Sequence, residues 1–288
     1  MKLKADFVAD WIELLKEILT VQWGYDISGV SNEDLPLVYF NAEQRRIEPK
    51  RRVVNLADRF KCPRDLVAGW QKLRVKIENG QDVSQHLSKL INRLYAKDSL
   101  LNDWGVHHFH LGENLEGDFI ERTGPLLFAL VTEYSFYAVN IYQHGEWAQD
   151  DVIESIHRNW PDVIARFKIN AVNLAENVSE RDRLTLRNKN ANVLVKVADG
   201  TIYAPIGGVV VGSGFNIQSV MQMDRQKDFL NKLQEQLESR LTSIRDELIK
   251  LGYNNEPEVE AKLVISDKDY TVVFTKYGLA VKLLTAKA

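Results

Sequence analysis

The chain has little of what a disulfide-stabilised or membrane-spanning protein needs. It has one cysteine, Cys62, in 288 residues, which excludes an intramolecular disulfide and a multi-cysteine zinc site. No apolar run approaches the roughly 20 residues that cross a bilayer. The opening sequence, MKLKADFVADWIELL, has acidic side chains within its apolar part, unlike a signal peptide. We therefore expect a cytoplasmic protein with no membrane partner.

The formal net charge of −3 conceals a basic stretch between Arg45 and Lys76. Eleven Lys and Arg residues stand there against three acids, a local excess of eight positive charges. Such an excess attracts a polyanion, and we expect RNA or another polyanion as partner. The alternative is a solvated surface balanced by acids elsewhere in the fold. The cations expected to hold phosphate are Arg45, Arg46, Lys50, Arg51 and Arg52.

Apolar periodicity predicts helices in the N-terminal part of the chain. The segments 5–20, 63–78 and 82–95 each repeat apolar residues at three- and four-residue intervals. Residues 24–36 are turn-like, and the basic stretch around Pro49 resembles a connector. A helical N-terminal segment is expected.

The next fifty residues predict an antiparallel β-meander. Clear strands are His107–Leu111, Leu126–Thr132 and Phe136–Tyr142, with a shorter one at Asp118–Arg122. A helix over 150–160 follows. We expect an α+β fold in which helices flank this central meander.

The C-terminal part predicts a second α/β unit. A hairpin around Asp199-Gly200 follows a polar linker over 170–190, and a final hairpin spans 262–275. The glycine-rich run 207–214 lacks the order of a phosphate-binding loop and indicates close backbone passage or a turn. A long amphipathic helix over 224–251 is suited to core packing or to contact with a partner or a second copy. The predicted domains are 1–62, 63–168 and 169–288.

Three of the six histidines lie within four residues, in the segment Trp104–Leu111. Side chains alternate along a strand, so His108 and His110 are expected on one face and His107 on the other. Two imidazoles about 7 Å apart on a rigid strand could bind a metal, move a proton or contact a phosphate. Each could also be structural, with His107 in the core and the others bonded to neighbouring strands.

The order of elements in this region resembles the RelE/ParE/HigB-type toxin fold. Two helices lead into a histidine-bearing strand, a turn with Gly117 and Arg122, a Leu-Leu-Phe strand, and a strand ending in Tyr142 and His144. The resemblance covers about residues 63–160. It implies a ribonuclease that cuts messenger RNA without a metal, with Arg122 as the strand arginine and His144 as the late histidine. The chain is nearly three times the usual toxin length.

RNA cleavage through the 2′-hydroxyl needs a base, an acid and a cation for the charge gained at phosphorus. Imidazole titrates near neutral pH, so His108, His110 or His144 could serve as base and acid. Arg122 could neutralise the phosphorane-like state by bidentate bonds, and Tyr142 could stack on a base. We expect a nucleic-acid-binding protein, a toxin-like or defence-related ribonuclease that uses no cofactor.

Two alternatives remain open at this point. A divalent metal held by His108, His110 and His144 or a nearby carboxylate would make the chain a metal-dependent hydrolase. If the histidines are structural, the chain is a non-catalytic protein that binds a partner or oligomerises through the 224–251 helix.

Overall fold

The structure, a computed structural model, describes residues 1–143, 151–170, 174, 178–266 and 269–283. Its contacts divide the chain into two units. Unit 1 joins Met1–Phe40 to Met221–Ala288, and unit 2 is the continuous segment Asn41–Val220. No helix in the described ranges is both long enough and apolar enough to pass through a bilayer.

Helices and small sheets alternate along the described chain, which confirms the predicted α+β class. The helices are α1 (Phe7–Glu17), α2 (Leu35–Glu43), α3 (Val67–Asn79), α4 (Ser99–Trp104), α5 (Asp151–Asn159), α6 (Pro161–Ile164), α7 (Glu180–Asn188), α8 (Ile217–Ser239) and α9 (Leu241–Lys250). The strands are β1 (Lys2–Lys4), β2 (Val53–Leu56), β3 (Val106–Phe109), β4 (Leu115–Glu116), β5 (Phe119–Ile120), β6 (Pro125–Val131), β7 (Ser135–Gln143), β8 (Lys168–Ile169), β9 (Val195–Lys196), β10 (Ile202–Tyr203), β11 (Glu258–Glu260), β12 (Lys262–Ser266), β13 (Asp269–Phe274) and β14 (Leu279–Leu283).

Unit 1 depends on pairing between segments that are distant in sequence. β1 pairs in parallel with β11, so that Leu3 lies opposite Val259. The Asp10 carboxylate on α1 accepts a hydrogen bond of 2.8 Å from the Leu263 N–H of β12. β12, β13 and β14 form an antiparallel sheet, which confirms the predicted final hairpin and adds a third strand.

The long helix predicted over 224–251 is two helices, α8 and α9, with the break at Arg240. The hydroxyls of Ser239 and Ser243 donate to main-chain carbonyls at this junction and compete with helical bonding. Most of the predicted apolar stripe is buried: Leu233, Leu237, Leu241, Ile244 and Leu248. The stripe is therefore engaged in the chain's own packing, and contact with a partner or a second copy through this segment stays a prediction.

The central sheet of unit 2 has the strand order β2-β7-β6-β3. β3, β6 and β7 are antiparallel, which confirms the meander. β2 adds to the far edge in parallel with β7.

The sheet of unit 2 is covered on both faces, and the alternation of β6 divides its side chains between two cores. Phe128 lies with Trp104 of α4 and with the apolar side of α5. Leu127 lies with Trp70 of α3 and Phe136 of β7. Both cores are in unit 2, so β6 is buried along almost its whole length.

The segment predicted as a helix over 82–95 is irregular, with 3₁₀ turns at Ser84–His86 and Lys89–Asn92. Its carbonyl groups have partners outside the segment. The Arg45 guanidinium donates to the carbonyls of Leu90, Arg93 and Leu94 at 2.7 to 2.9 Å. These carbonyls then need no helical N–H, so apolar spacing alone misidentifies the segment.

Two helices occupy segments predicted as turn or linker. α2 begins at Leu35, so Pro36 lies in its first turn, where a missing N–H has no cost. α7 lies inside the polar segment 170–190, and the Ser179 hydroxyl caps it by accepting from the Asp182 N–H. The low apolar content of α7 concealed it, because the side chains that it buries are arginines.

The two units also differ from the predicted division into 1–62, 63–168 and 169–288. Both predicted boundaries fall inside unit 2, while the first and last predicted segments share the β1–β11 pair. Lys4 lies opposite Glu260, 256 positions later. Pairing over such a separation leaves no signal in local sequence.

Buried arginines join α7 to α4. The Arg187 Nε donates to Asp103 Oδ2 at 2.5 Å, and its guanidinium carbon lies 4.1 Å from the Trp104 ring centroid. Arg183 lies 5.7 Å from the same ring. Burial raises the pKa of Asp103, and the neighbouring Arg187 charge opposes that rise.

We expect Arg187→Met to lower the free energy of unfolding by about 3–5 kcal/mol, because it leaves the Asp103 carboxylate buried without its ion-pair partner. Urea unfolding measures the change. Arg181→Met, at an exposed position of the same helix, is the matched control and should stay within about 0.5 kcal/mol of the parent. Equal stability of the two variants would contradict a structural role for the Arg187–Asp103 pair.

Candidate active site

The predicted histidine strand is shorter than expected, since β3 ends at Phe109. His108 lies on β3 opposite Phe128 of β6. His110 follows the strand, and its backbone is fixed by reciprocal bonds with His86. The His110 N–H donates to the His86 carbonyl at 2.8 Å, and His86 Nδ1 donates to the His110 carbonyl at 2.9 Å. Burial is the main cause that lowers the pKa of His86.

One cavity of unit 2 brings together three of the sequence-predicted catalytic residues: His108, His110 and Arg122. Its volume is about 300 Å³. The remaining wall is Ser88, Leu90, Lys97, Asp98, Ser99, Leu100 and Leu126. His110 is 4% exposed and the His108 side chain 11%, whereas Arg122 is exposed. The two imidazoles of this cavity, which we call the histidine cavity, are thus sheltered from solvent, whereas its cation Arg122 is exposed.

Asp98 is the acidic group of this cavity. Its Oδ2 lies 3.6 Å from His108 Nδ1, too far for a hydrogen bond but close enough to stabilise a protonated ring. The Asp98 Oδ1 accepts from the Leu101 N–H at 3.0 Å and so caps α4. The carboxylate is held in place by the helix that it caps. Sequence reasoning missed Asp98, although an Asp directly before an apolar helix is a capping signal.

Lys97 adds a second cation beside Arg122. Its Nζ donates to the Ser213 carbonyl at 2.9 Å and lies 5.9 Å from the Phe215 ring centroid. Lys97 was not among the predicted residues, because nothing in its local sequence distinguishes it from an ordinary surface lysine.

His107, the neighbour of His108 on β3, is buried as the sequence predicts. Its ring packs against Phe109 with centroids 6.3 Å apart. Burial lowers the pKa of His107 to about 4. His107 is therefore a neutral core residue at physiological pH.

The structure contradicts two of the predicted nucleic-acid contacts. Arg45 is 3% exposed, and its guanidinium donates to four main-chain carbonyls, so it has a structural role and no access to phosphate. Tyr142 is 6% exposed, packs on Phe128 and donates its hydroxyl to Asp151 at 2.9 Å. Unlike His110, this buried ring forms no part of the cavity wall, so it cannot stack on a base bound there. Both residue types are compatible with RNA contact, and only burial assigns them to the core.

The other predicted cations are divided between internal and external roles. Arg46 donates to Ile91, and Arg52 donates to carbonyls including that of Thr132. Lys50 bonds to Glu133 at 2.6 Å, which raises the lysine pKa. Only Arg51 of the predicted five is exposed. Within the described segment 51–64, the exposed cations that have no side-chain partner are Arg51, Arg59, Lys61 and Arg64.

His144, the fourth predicted catalytic residue, lies outside the described residues. Among the residues that are described, no group of three or more His, Cys, Asp or Glu side chains is placed to hold a metal ion. The proposed metal set included His144, so that alternative stays a prediction.

A larger cavity of about 830 Å³ lies in unit 1. It contains none of the sequence-predicted site residues. Two of its three lysines are paired with acids: Lys4 with Glu260 and Lys276 with Glu256, both at 2.5 Å. We take the histidine cavity as the candidate site, because it combines imidazoles with cations.

No family model matches this chain, and neither a curated protein nor a solved structure matches it. The candidate site therefore depends on its own geometry, and the toxin-fold resemblance stays a prediction.

The depressed pKa of His107 predicts acid sensitivity. The unfolded chain binds the proton near pH 6.5 and the folded chain near pH 4, so stability is lost as pH falls through that window. Between pH 7 and pH 5 this residue should lower the free energy of unfolding by about 2 kcal/mol. Denaturant unfolding of the parent and of His107→Gln measures the difference. A pH slope unchanged by the substitution would contradict the assignment.

Proposed function

We propose that this protein binds RNA and cleaves it by imidazole acid–base chemistry in the histidine cavity. The observation that carries the proposal is the placement of His108, His110 and Arg122 on the wall of one cavity. Lys97 and Asp98 support it, because they add a cation and an orienting carboxylate at the same place. We further propose that the protein acts in the cytoplasm, as a toxin-like or defence-related ribonuclease.

In the proposed reaction His108 is the base. It takes the proton of the RNA 2′-hydroxyl, whose oxygen then forms a bond to phosphorus. Asp98 stabilises the imidazolium that results, as a carboxylate does beside a catalytic histidine. His110, in its protonated form, gives a proton to the departing 5′-oxygen as the P–O bond breaks. The products are a 2′,3′-cyclic phosphate and a 5′-hydroxyl.

Arg122 and Lys97 would stabilise the extra negative charge on phosphorus in the transition state. Arg122 can bind two phosphate oxygens at once, and the lysine adds a point charge. Both cations are exposed, so a phosphate can reach them from solvent, whereas the imidazoles are sheltered.

Substitution of the acid–base pair tests the proposal. We expect His108→Gln and His110→Gln each to lower the rate of cleavage of single-stranded RNA by about 10²–10⁴-fold. His157→Gln, a histidine of the same unit outside the cavity, is the control and should keep parental activity. Circular dichroism checks that each variant is folded. A parent that leaves RNA intact, or a His108 variant that cleaves at the parental rate, would reject the proposal.

RNA binding should depend on the exposed cations of unit 2. Changing Arg51, Arg59, Lys61 and Arg64 together to Gln should flatten the plot of log affinity against log salt by about 0.7 for each phosphate that the variant no longer neutralises. The control changes four exposed cations of unit 1 to Gln: Lys2, Arg225, Arg240 and Lys250. Both variants remove the same charge, so an equal effect in the two would show only a net-charge response and contradict a specific binding surface.

A further inference from the structure

A second polar cavity adjoins the proposed reaction cavity in unit 2. Its volume is about 190 Å³. Its wall includes Lys97, Ser99, Asp103, Arg187, Asn188 and Asn190. Lys97 and Ser99 also belong to the wall of the histidine cavity. A ligand that extends across Lys97 and Ser99 would occupy both cavities.

Part of the second cavity is fixed by internal hydrogen bonds. The Asn192 amide donates to the Val210 carbonyl at 3.0 Å and accepts from the Val210 N–H at 2.8 Å. The Asn102 Oδ1 accepts from Gln44 and Asn216. These two asparagines have a structural role, because their amide groups already take part in hydrogen bonds within the protein.

Other polar groups remain for a ligand. Within the described residues the side chains of Ser99, Asn188 and Asn190 make no hydrogen bond. Lys97 uses one donor of three, on Ser213. Arg187 forms an ion pair with Asp103, so the charge of Lys97 gives the cavity wall a net positive charge.

The glycine-rich run explains how the chain closes on Lys97. Gly214 has φ +81, in the left-handed region, and a Cβ there would lie 2.1 Å from Lys97 Nζ and 2.9 Å from the Asn190 amide. A Cβ on Gly207 would lie 1.9 Å from the Leu101 carbonyl oxygen of α4. The Gly207 contact confirms the predicted close backbone passage, and the Gly214 contacts place Lys97 and Asn190, two residues of the cavity wall, beside the glycine-rich run.

We propose that the second cavity holds the nucleotide adjacent to the scissile phosphate, so that the substrate is single-stranded RNA spanning both cavities. This inference rests on the proposed function. Lys97, common to both walls, would contact the phosphate between the two nucleotides. The Asn188 and Asn190 amides each offer a donor and an acceptor, as the edge of an unpaired base requires. Pockets that enclose a drug-sized ligand hold about 300–1,000 Å³, so 190 Å³ suits one base.

The test compares the binding of two probes by fluorescence anisotropy and calorimetry. One is adenosine 3′-monophosphate; the other is tetraadenylate with 2′-O-methyl groups, which cannot be cleaved through the 2′-oxygen. The parent should bind the tetranucleotide more tightly. Asn188→Ala with Asn190→Ala should weaken tetranucleotide binding about tenfold, the effect of removing one or two hydrogen bonds, and leave the mononucleotide unchanged. Asn79→Ala with Asn92→Ala, at exposed positions that line neither cavity, is the matched control.

The outcomes separate this inference from the proposed function. Equal affinity of the parent for both probes, or unchanged tetranucleotide affinity in the cavity variant, would overturn the two-cavity substrate and leave the reaction cavity in place. Binding of neither probe by the parent would overturn both proposals. A tenfold weakening confined to the tetranucleotide and absent from the control would support the two-cavity substrate.

Discussion

The buried guanidinium of Arg45 is the interaction on which the candidate site depends. It donates to the carbonyls of Leu90, Arg93 and Leu94 and so fixes an irregular segment that regular hydrogen bonding does not support. That segment and the residues just after it supply one wall of the histidine cavity, from Ser88 to Asp98. A cation that looks like a phosphate ligand in the sequence is therefore part of the scaffold, since an arginine with five donors can satisfy several carbonyls at once.

The same chemistry recurs on the other side of α4. Arg187 bonds to Asp103 and stacks on Trp104, which joins α7 to the helix that Asp98 caps. A short helix has few intrahelical bonds of its own, so its position relies on such contacts. Packing of α7 against α4 therefore also helps to fix Asp98, the carboxylate that caps α4 beside His108. Burial makes the Arg187–Asp103 ion pair costly to break and therefore effective in holding α7 against α4.

Local patterns predicted some parts of the fold and failed at others for definable reasons. The strands around Leu127 and Val139 and the Asp199-Gly200 hairpin follow from apolar runs and turn chemistry, and the structure confirms them. The helix at 82–95 was wrong because tertiary bonds from Arg45 and to His110 override its apolar spacing. α7 was missed because its buried face is cationic. Hydrophobic patterning cannot detect a core built from guanidinium and indole.

By itself the sequence determined the α+β class, the meander, and the opposite faces of His107 and His108 on β3, because side-chain alternation along a strand is a local property. Only the tertiary structure decided that His108 and His110 share a cavity with Arg122, Lys97 and Asp98, that Arg45 and Tyr142 are buried, and that the first and last segments share one unit. Those facts depend on contacts between residues far apart in sequence, and burial of a charged or aromatic side chain is set by what packs around it rather than by its neighbours in the chain.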